Sequence, residues 1–256
     1  MNLLITGGSN GIGAAIARDY GTRAGAGHRV FITGRDEGAC AALCAEINAA
    51  AAAEPAAPAA ERASFAVGDV GNEADVERVC AAAEAFFGAG GIGVLVANAG
   101  CGGGRAPLEL TGAASFDRQF SANVRGVFLY LSRVLPAMRA ARRGQLVVTS
   151  SVAGLRPVAH GAVYAASKWA VEGMVRSLRE ELRGSGVKAG TVNPGPVATK
   201  WWTEAHRGGE RTAEQVPAAM LTAEDCARAA ATIIDQAQTS DLTTVTLDAA
   251  APPAAV

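Results

Sequence analysis

Residues 2 to 20, NLLITGGSNGIGAAIARDY, constrain the fold more than any other stretch of the chain. A short apolar strand runs into a glycine-rich turn, then into an amphipathic helix with Ile12, Ile16 and Tyr20 on one stripe. Gly7, Gly11 and Gly13 stand where the backbone must turn tightly and approach a ligand, and glycine allows this because it admits positive φ and carries no Cβ. A helix entered this way offers free N–H groups and the positive end of its dipole to an anion such as a pyrophosphate. The turn, with Ser9, Asn10, Gly11 and Ile12 inside it, therefore reads as a phosphate site.

Further along, apolar runs near residues 2–6, 29–33, 64–67, 93–97, 145–150, 187–192 and 243–247 read as strands, with helical patterns between them. Such alternation implies an α/β fold with a doubly wound, seven-stranded parallel sheet and ligands beyond the carboxyl ends of its strands. With 256 residues, half of them hydrophobic, the chain can bury one large core, so a single domain over 1–256 is expected. Segment 49–63, alanine-rich with two prolines, reads as a helix tail and a solvated loop.

Two other glycine patterns are decided by context. GAGGIG, residues 88–93, matches the G-x-G-x-x-G text, but it follows a helix and leads into a strand, so it reads as a helix C-cap and connecting loop. Residues 7–11 also match the G-x-S-x-G elbow of serine hydrolases. None of His28, His160 and His206 has an evident claim to be the partner such an elbow needs.

The stretch 161–182, GAVYAASKWAVEGMVRSLREEL, has helical apolar spacing, which puts Tyr164 and Lys168 on one face about 5–6 Å apart at Cβ. A free phenol, with a pKa of about 10, exchanges protons poorly at neutral pH, and a nearby ammonium favours its ionised form. Ser151, thirteen residues before Tyr164, closes the buried strand QLVVTSS and can hydrogen-bond an oxygen beside the phenol. One hydroxyl, one tuned phenol and one cation suit the movement of a proton onto or off a carbinol oxygen. Taken alone, the pair is equally an exposed chance occurrence on a helix.

With the two ends taken together, the chain resembles the short-chain dehydrogenase/reductase family over nearly its whole length. The matching pieces, in order, are residues 6–13 (TGGSNGIG), Asp69 with Val70, Asn98-Ala99-Gly100, Asn123, Ser151, Tyr164 with Lys168, and residues 194–199 (PGPVAT). The family usually has Asn where this chain has Ala97. The resemblance implies a Rossmann-type fold and a catalytic set of Asn123, Ser151, Tyr164 and Lys168. It implies that Asp69 and Val70 flank an adenine and that Asn98, Ala99 and Gly100 line the ribose side. Thr199 and the backbone of Pro194, Gly195 and Val197 would hold the nicotinamide carboxamide and pyrophosphate. Tyr164 would exchange the substrate proton, Lys168 would tune it and grip the nicotinamide ribose, both contacting the cofactor, and Ser151 would hold the substrate oxygen. Asn123 is implied to hold a water linking Lys168 to solvent, or else to stabilise a helix irregularity.

Cofactor choice rests on the second strand. A site preferring NAD usually places an acid about twenty residues past the glycines to bond the ribose 2′-hydroxyl. Gly34 stands there, followed by Arg35, whose guanidinium can fork onto a 2′-phosphate or else pair with Asp36. The reading is NADP(H) over NAD(H).

The formal charge of −1 without a long basic run excludes nucleic acid as an expected partner. No secretory pattern and no long apolar span is seen, and Cys40, Cys44, Cys80, Cys101 and Cys226 lack metal-ligand spacing, so a cytoplasmic protein without a metal is expected. Helices over 113–141 and 161–183 carry surplus apolar residues, and the family resemblance implies a homodimer or homotetramer built on them.

The substrate, a small carbonyl or alcohol, is read to meet Leu155, Arg156, Pro157 and His160 and a loop at about 200–220. There Trp201 and Trp202 either cover an apolar substrate or pack the loop onto the core, and Arg156 or Arg207 either meets a carboxylate or is an ordinary surface arginine. The C-terminal region lacks the family's frequent Asp-Gly-Gly signature and looks like the branch of NADP-dependent 3-hydroxy acid and serine dehydrogenases, and APPAAV reads as a frayed tail. The alternatives are a 3-oxoacyl-thioester reductase and a non-catalytic dinucleotide-binding regulator, which has no need of the four catalytic residues together. A sugar-nucleotide epimerase would carry a larger region after Thr199.

Overall fold

Alternation along β1 (Asn2–Thr6) sends Leu3 and Ile5 to one face of a sheet and Leu4 to the other, and all three side chains are fully buried. A strand covered on both faces reads as a continuous apolar run, which is the mark of a parallel sheet sandwiched between helices. Each such leucine or isoleucine contributes about 1.5–3 kcal/mol through burial. The computed structural model describes residues 1–25, 27–53, 61–104, 106–202 and 219–250.

The other strands are β2 (Arg29–Gly34), β3 (Ala63–Val67), β4 (Val94–Ala97), β5 (Gly144–Thr149), β6 (Val187–Pro194) and β7 (Thr244–Leu247). All six pairings are parallel, and the order is β3-β2-β1-β4-β5-β6-β7, a Rossmann-like arrangement. On one face lie α1 (Gly11–Thr22), α2 (Glu37–Ala52) and α7 (Ala223–Ile234), contributing Ile16, Ile47 and Ile233 to the core. On the other lie α3 (Glu73–Phe87), α5 (Gly126–Ala141) and α6 (Ala162–Glu181), contributing Val79, Tyr130 and Val175. Because β1 is flanked by β2 and β4, the chain order reverses between β1 and β4, and a crevice opens beyond their carboxyl ends.

The expected strands are all present, with β6 reaching Pro194. Residues 88–93 form the helix end and loop that their context indicated. Gly88 (φ 64°) closes α3 with its N–H on the Glu84 carbonyl, and Gly91 (φ 55°) turns the chain towards β4. The helix expected over 113–141 is interrupted. It consists of α4 (Ala113–Phe120), a π-helical turn (Ser121–Arg125) and α5. Residues 54–60, 203–218 and 251–256 lie outside the described residues, and with them parts of the expected 49–63 loop and 200–220 loop, His206, Arg207 and the APPAAV tail. Among the described residues no helix is long and apolar enough to cross a membrane.

Candidate active site

The glycine turn sits at the mouth of the crevice. Gly7 and Gly11 have φ of 62° and 50°. A Cβ on Gly7 would lie 2.9 Å from Ala99 Cα, and one on Gly13 would overlap the Gly7 carbonyl, so neither position has room for a side chain. The start of α1 has no side-chain cap, whereas Asp36, Asn72 and Thr222 cap α2, α3 and α7 through their own oxygens. Gly7, Asn10, Gly11 and Ile12 line a cavity of about 270 Å³, so the uncapped helix start opens onto it. A bare-backbone cradle with unclaimed N–H groups fits a pyrophosphate.

Asn98 ties the strand ends together beneath this turn. Its Nδ2 donates to the carbonyls of Thr6 (3.1 Å) and Gly7 (3.3 Å), and its Oδ1 accepts from Thr149 Oγ1 (3.1 Å). Thr6 Oγ1 in turn accepts from the N–H groups of Asn98 and Ala99, both at 3.0 Å. Asn98, Ala99 and Gly100 all line the cavity, as do Pro194, Gly195, Val197 and Thr199 from the end of β6. Thr199 faces Gly11 across the crevice, its Cγ2 3.1 Å from where a Gly11 Cβ would be.

Ser151, Tyr164 and Lys168 meet on the same cavity. Ser151 is buried just past β5; its Oγ accepts from the Ala153 N–H (3.1 Å) and donates weakly to the Pro194 carbonyl (3.4 Å). Lys168, one turn after Tyr164 on α6, brings Nζ to 5.9 Å from the phenol ring centroid and donates to the Thr149 carbonyl at 2.9 Å. Burial pushes the Lys168 pKa down to about 8, against smaller upward pulls from Cys101 and Glu172. At neutral pH the amine still carries its charge. The Cys101 thiol is itself pushed up by burial and stays protonated there.

Asn123 does not line the cavity. It is buried in the π-helical turn, where its amide clasps the Cys101 backbone, accepting from N–H and donating to C=O, both at 2.8 Å, and also donates to Ser167 Oγ at 3.0 Å. The widened turn is what lets an amide from mid-helix reach the β4 loop. A Cβ on Gly100 would come within 2.9 Å of Asn123 Oδ1 and 3.8 Å of Lys168 Nζ, so the amide lies immediately under the site.

Ser9, Gly13, Arg35, Asp69 and Val70 also lie off this cavity. Ser9 Oγ accepts from Asn10 Nδ2 (3.1 Å) and would lie 2.8 Å from a Cβ on Gly34, which puts it beside the end of β2. Arg35 is exposed and has no hydrogen bond or ion pair with another described residue, since Asp36 is occupied in capping Ala39 N–H at 2.9 Å. Asp69 is exposed and caps the Gly71 N–H at 2.8 Å, while Val70 packs where a Gly126 Cβ would be.

Of the expected substrate residues, His160 lines the cavity and Leu155, Arg156 and Pro157 do not. Arg156 is turned away into an ion pair with Asp248 at 2.6 Å. Trp201 and Trp202 both line the cavity. Trp201 packs edge-on against Tyr164 with centroids 5.7 Å apart, and Trp202 Nε1 donates to the Val197 carbonyl at 2.7 Å. Both indoles are packed in place and form part of the cavity wall.

Sequence reasoning passed over Glu172 and Asn193. Glu172 is buried one turn beyond Lys168, and Asn193 Nδ2 donates to its Oε1 at 2.6 Å and to the Ser151 carbonyl at 3.3 Å. The available signal was the spacing, since Lys168 and Glu172 place two charges on the helix face that also carries Val171 and Val175 into the core.

A family model described as short chain dehydrogenase matches residues 1–209. Levodione reductase of Leifsonia aquatica is 35% identical over 197 residues, which is 77% of this chain and 69% of that one. For other curated relatives the matched stretch is only 35–36% of their length. Among solved structures, the closed form of serine dehydrogenase complexed with NADP+ superposes with a TM-score of 0.83 at 28% identity, over 96% of this chain and 94% of that one. A 3-ketoacyl-(acyl-carrier-protein) reductase from Brucella melitensis complexed with NADH gives 0.79 at 27% identity, over 96% of each chain.

Proposed function

The chain belongs to the short-chain dehydrogenase/reductase family of oxidoreductases, and from that premise we propose that it is an NADP(H)-dependent enzyme in which the bound nicotinamide exchanges a hydride with a carbonyl or secondary alcohol carbon. The observation that carries this reading is the meeting of Ser151, Tyr164 and Lys168 on the cavity that the uncapped glycine turn opens onto. One dinucleotide-binding domain over residues 1–256 performs both tasks.

In reduction, Tyr164 donates its hydroxyl proton to the carbonyl oxygen as charge develops there, and in oxidation it takes the proton back. The Lys168 ammonium, held by the Thr149 carbonyl beside the phenol, stabilises negative charge on that oxygen. Ser151 holds the substrate oxygen. Its existing donation to Pro194 is long at 3.4 Å, so turning the hydroxyl to a substrate costs little, and the Ala153 N–H keeps Oγ in place. Asn123 positions the Cys101 loop under Lys168 and keeps one lone pair of Oδ1 for a water on the amine's side.

For the dinucleotide, residues 7–13 cradle the pyrophosphate, Asp69 and Val70 flank the adenine, and Asn98, Ala99 and Gly100 border the ribose. Pro194, Gly195, Val197 and Thr199 hold the carboxamide end, and Tyr164 and Lys168 meet the nicotinamide ribose. Arg35, without a carboxylate partner among the described residues, would take the 2′-phosphate, and this together with the NADP+ complex of one relative supports NADP(H) over NAD(H). Exposed Phe116, Phe128 and Trp169 on α4, α5 and α6 support a homodimer or homotetramer. The five cysteines are free and buried, which supports a reducing compartment such as the cytoplasm.

The test is consumption of NADPH and NADH by the purified protein against ketones, 3-oxo acids, 3-oxoacyl thioesters and aldehydes. Tyr164→Phe should lower kcat by about 10²–10⁴-fold while NADPH affinity stays within about threefold. A variant that keeps most of its turnover rules out this proton donor.

A further inference from the structure

The lining of the cavity restricts the substrate beyond its reacting carbonyl. Two indoles, Trp201 and Trp202, supply flat apolar wall next to Tyr164, and both are held in place. Trp202 Nε1 is anchored on the Val197 carbonyl, and the Trp201 ring packs on Tyr164 while its backbone N–H donates to Thr199 Oγ1 (3.3 Å). Gly104 lines the same space, and a Cβ there would meet nothing within 4 Å, which leaves room for a bulky group. His160 fixes the mouth. Its backbone is in the left-handed region (φ 57°), and its carbonyl accepts from the Ala106 N–H at 3.1 Å, which joins the loop after β4 to the loop before α6. A non-glycine residue in this conformation persists only where its surroundings hold it, so the opening has a defined shape.

The charges on this lining are equally informative. Among the described residues no carboxylate lines the cavity, so none of them would pair with a substrate ammonium. Of the two arginines considered from sequence for a substrate carboxylate, Arg156 is paired with Asp248 outside the cavity, and Arg207 lies outside the described residues. Of the two lysines in the lining, Lys168 is on the Thr149 carbonyl beside the phenol, and Lys200 is exposed, where screening leaves an ion pair little to contribute.

We propose that the substrate is an uncharged ring ketone, aryl or alicyclic, or the corresponding alcohol, whose ring packs on the Trp201 indole while its oxygen meets Tyr164 and Ser151. This rests on the oxidoreductase reading above and deepens it.

The test compares three carbonyl compounds that share a phenyl ketone frame: acetophenone, the carboxylate benzoylformate, and the permanently cationic 2-(trimethylammonio)acetophenone. With the full-length wild-type protein and saturating NADPH, kcat/KM for acetophenone should exceed that for each charged analogue by about 30-fold or more. In Trp201→Ala, KM for acetophenone should rise by about tenfold with kcat changed less than about threefold, because the indole contributes binding rather than chemistry. NADPH affinity, read by fluorescence titration, should stay the same.

A preference for either charged analogue overturns the inference, as does an unchanged KM in Trp201→Ala. Reduction of an aldehyde or a 3-oxoacyl thioester with none of the three turned over also overturns it, while the oxidoreductase reading stands. Failure to reduce any carbonyl compound with either cofactor removes both.

Discussion

Replacing Lys168 with methionine removes a charge that the fold holds away from water. The residue is 5% exposed, and desolvation takes its pKa from 10.5 to about 8. Since the folded-state value lies below the unfolded one, the unfolded chain binds the proton more tightly, and protonation costs the native state stability. At about 1.4 kcal/mol per pH unit, that cost is roughly 3 kcal/mol. It is present in full below about pH 8 and fades as pH rises towards 10.5, where the amine is neutral in both states.

Methionine is of similar length and carries no charge, so Lys168→Met escapes this cost. It also gives up the bond from Nζ to the Thr149 carbonyl, a loss of about 1–3 kcal/mol that does not depend on pH. The two effects separate in urea unfolding of both proteins at matched concentration between pH 7 and 10.5. The stability of wild type should rise relative to the variant by roughly 3 kcal/mol across the range, and the contributions of groups that do not interact with Lys168 cancel in the difference. Parallel curves would refute the idea that the Lys168 amine is held in the fold at a cost in stability. Cys101 and Glu172 are the titratable groups whose charge also acts on the amine, and because the Lys168 charge in turn lowers the Cys101 pKa, the thiol's titration is part of the same difference.

Three further outcomes can be checked directly. Reduction should lose kcat/KM as pH rises through about 8, where Lys168 in the free protein loses its proton, and a profile flat to pH 9.5 contradicts this assignment. Arg35→Ala should lower kcat/KM with NADPH by about 10–100-fold and leave NADH nearly unaffected, because only the former carries a 2′-phosphate. Equal kcat/KM for the two cofactors in wild type removes the preference altogether. Light scattering on a sizing column should give a dimer or tetramer through the faces bearing Phe128 and Trp169, and a monomer at micromolar concentration contradicts that arrangement.

Much of the fold was legible because its signals are local. The seven strands are short apolar runs between turn residues, and the glycine turn announces itself through positions that no side chain could occupy, as the contacts around Gly7 and Gly13 bear out. A helix irregularity at Asn123 was one of two readings the family resemblance gave, but apolar periodicity continues across it, so the form of the break between α4 and α5 was not legible. The open turn is held by a pair of bonds between the Asn123 amide and the Cys101 backbone, 22 residues away in the chain. Which partner Arg156 takes was hidden for a similar reason, since Asp248 lies 92 residues on. The link from Glu172 through Asn193 to Ser151 joins a helix to a strand end, and no window of sequence contains it.

By itself the sequence determined which chemistry is available. A tyrosine and a lysine four residues apart on a helix must share a face, a serine must close the strand before them, and a strand–glycine–helix turn must offer backbone N–H groups. Helical geometry and glycine stereochemistry are properties of the nearest few residues, so they can be read from a line of letters. Only the tertiary structure decided the state of that chemistry: the lowered pKa of Lys168, the indole against Tyr164, the release of Arg35 and the engagement of Arg156. Desolvation and pairing depend on which remote segments exclude water from a group, and that exclusion exists only once the strands have brought those segments together.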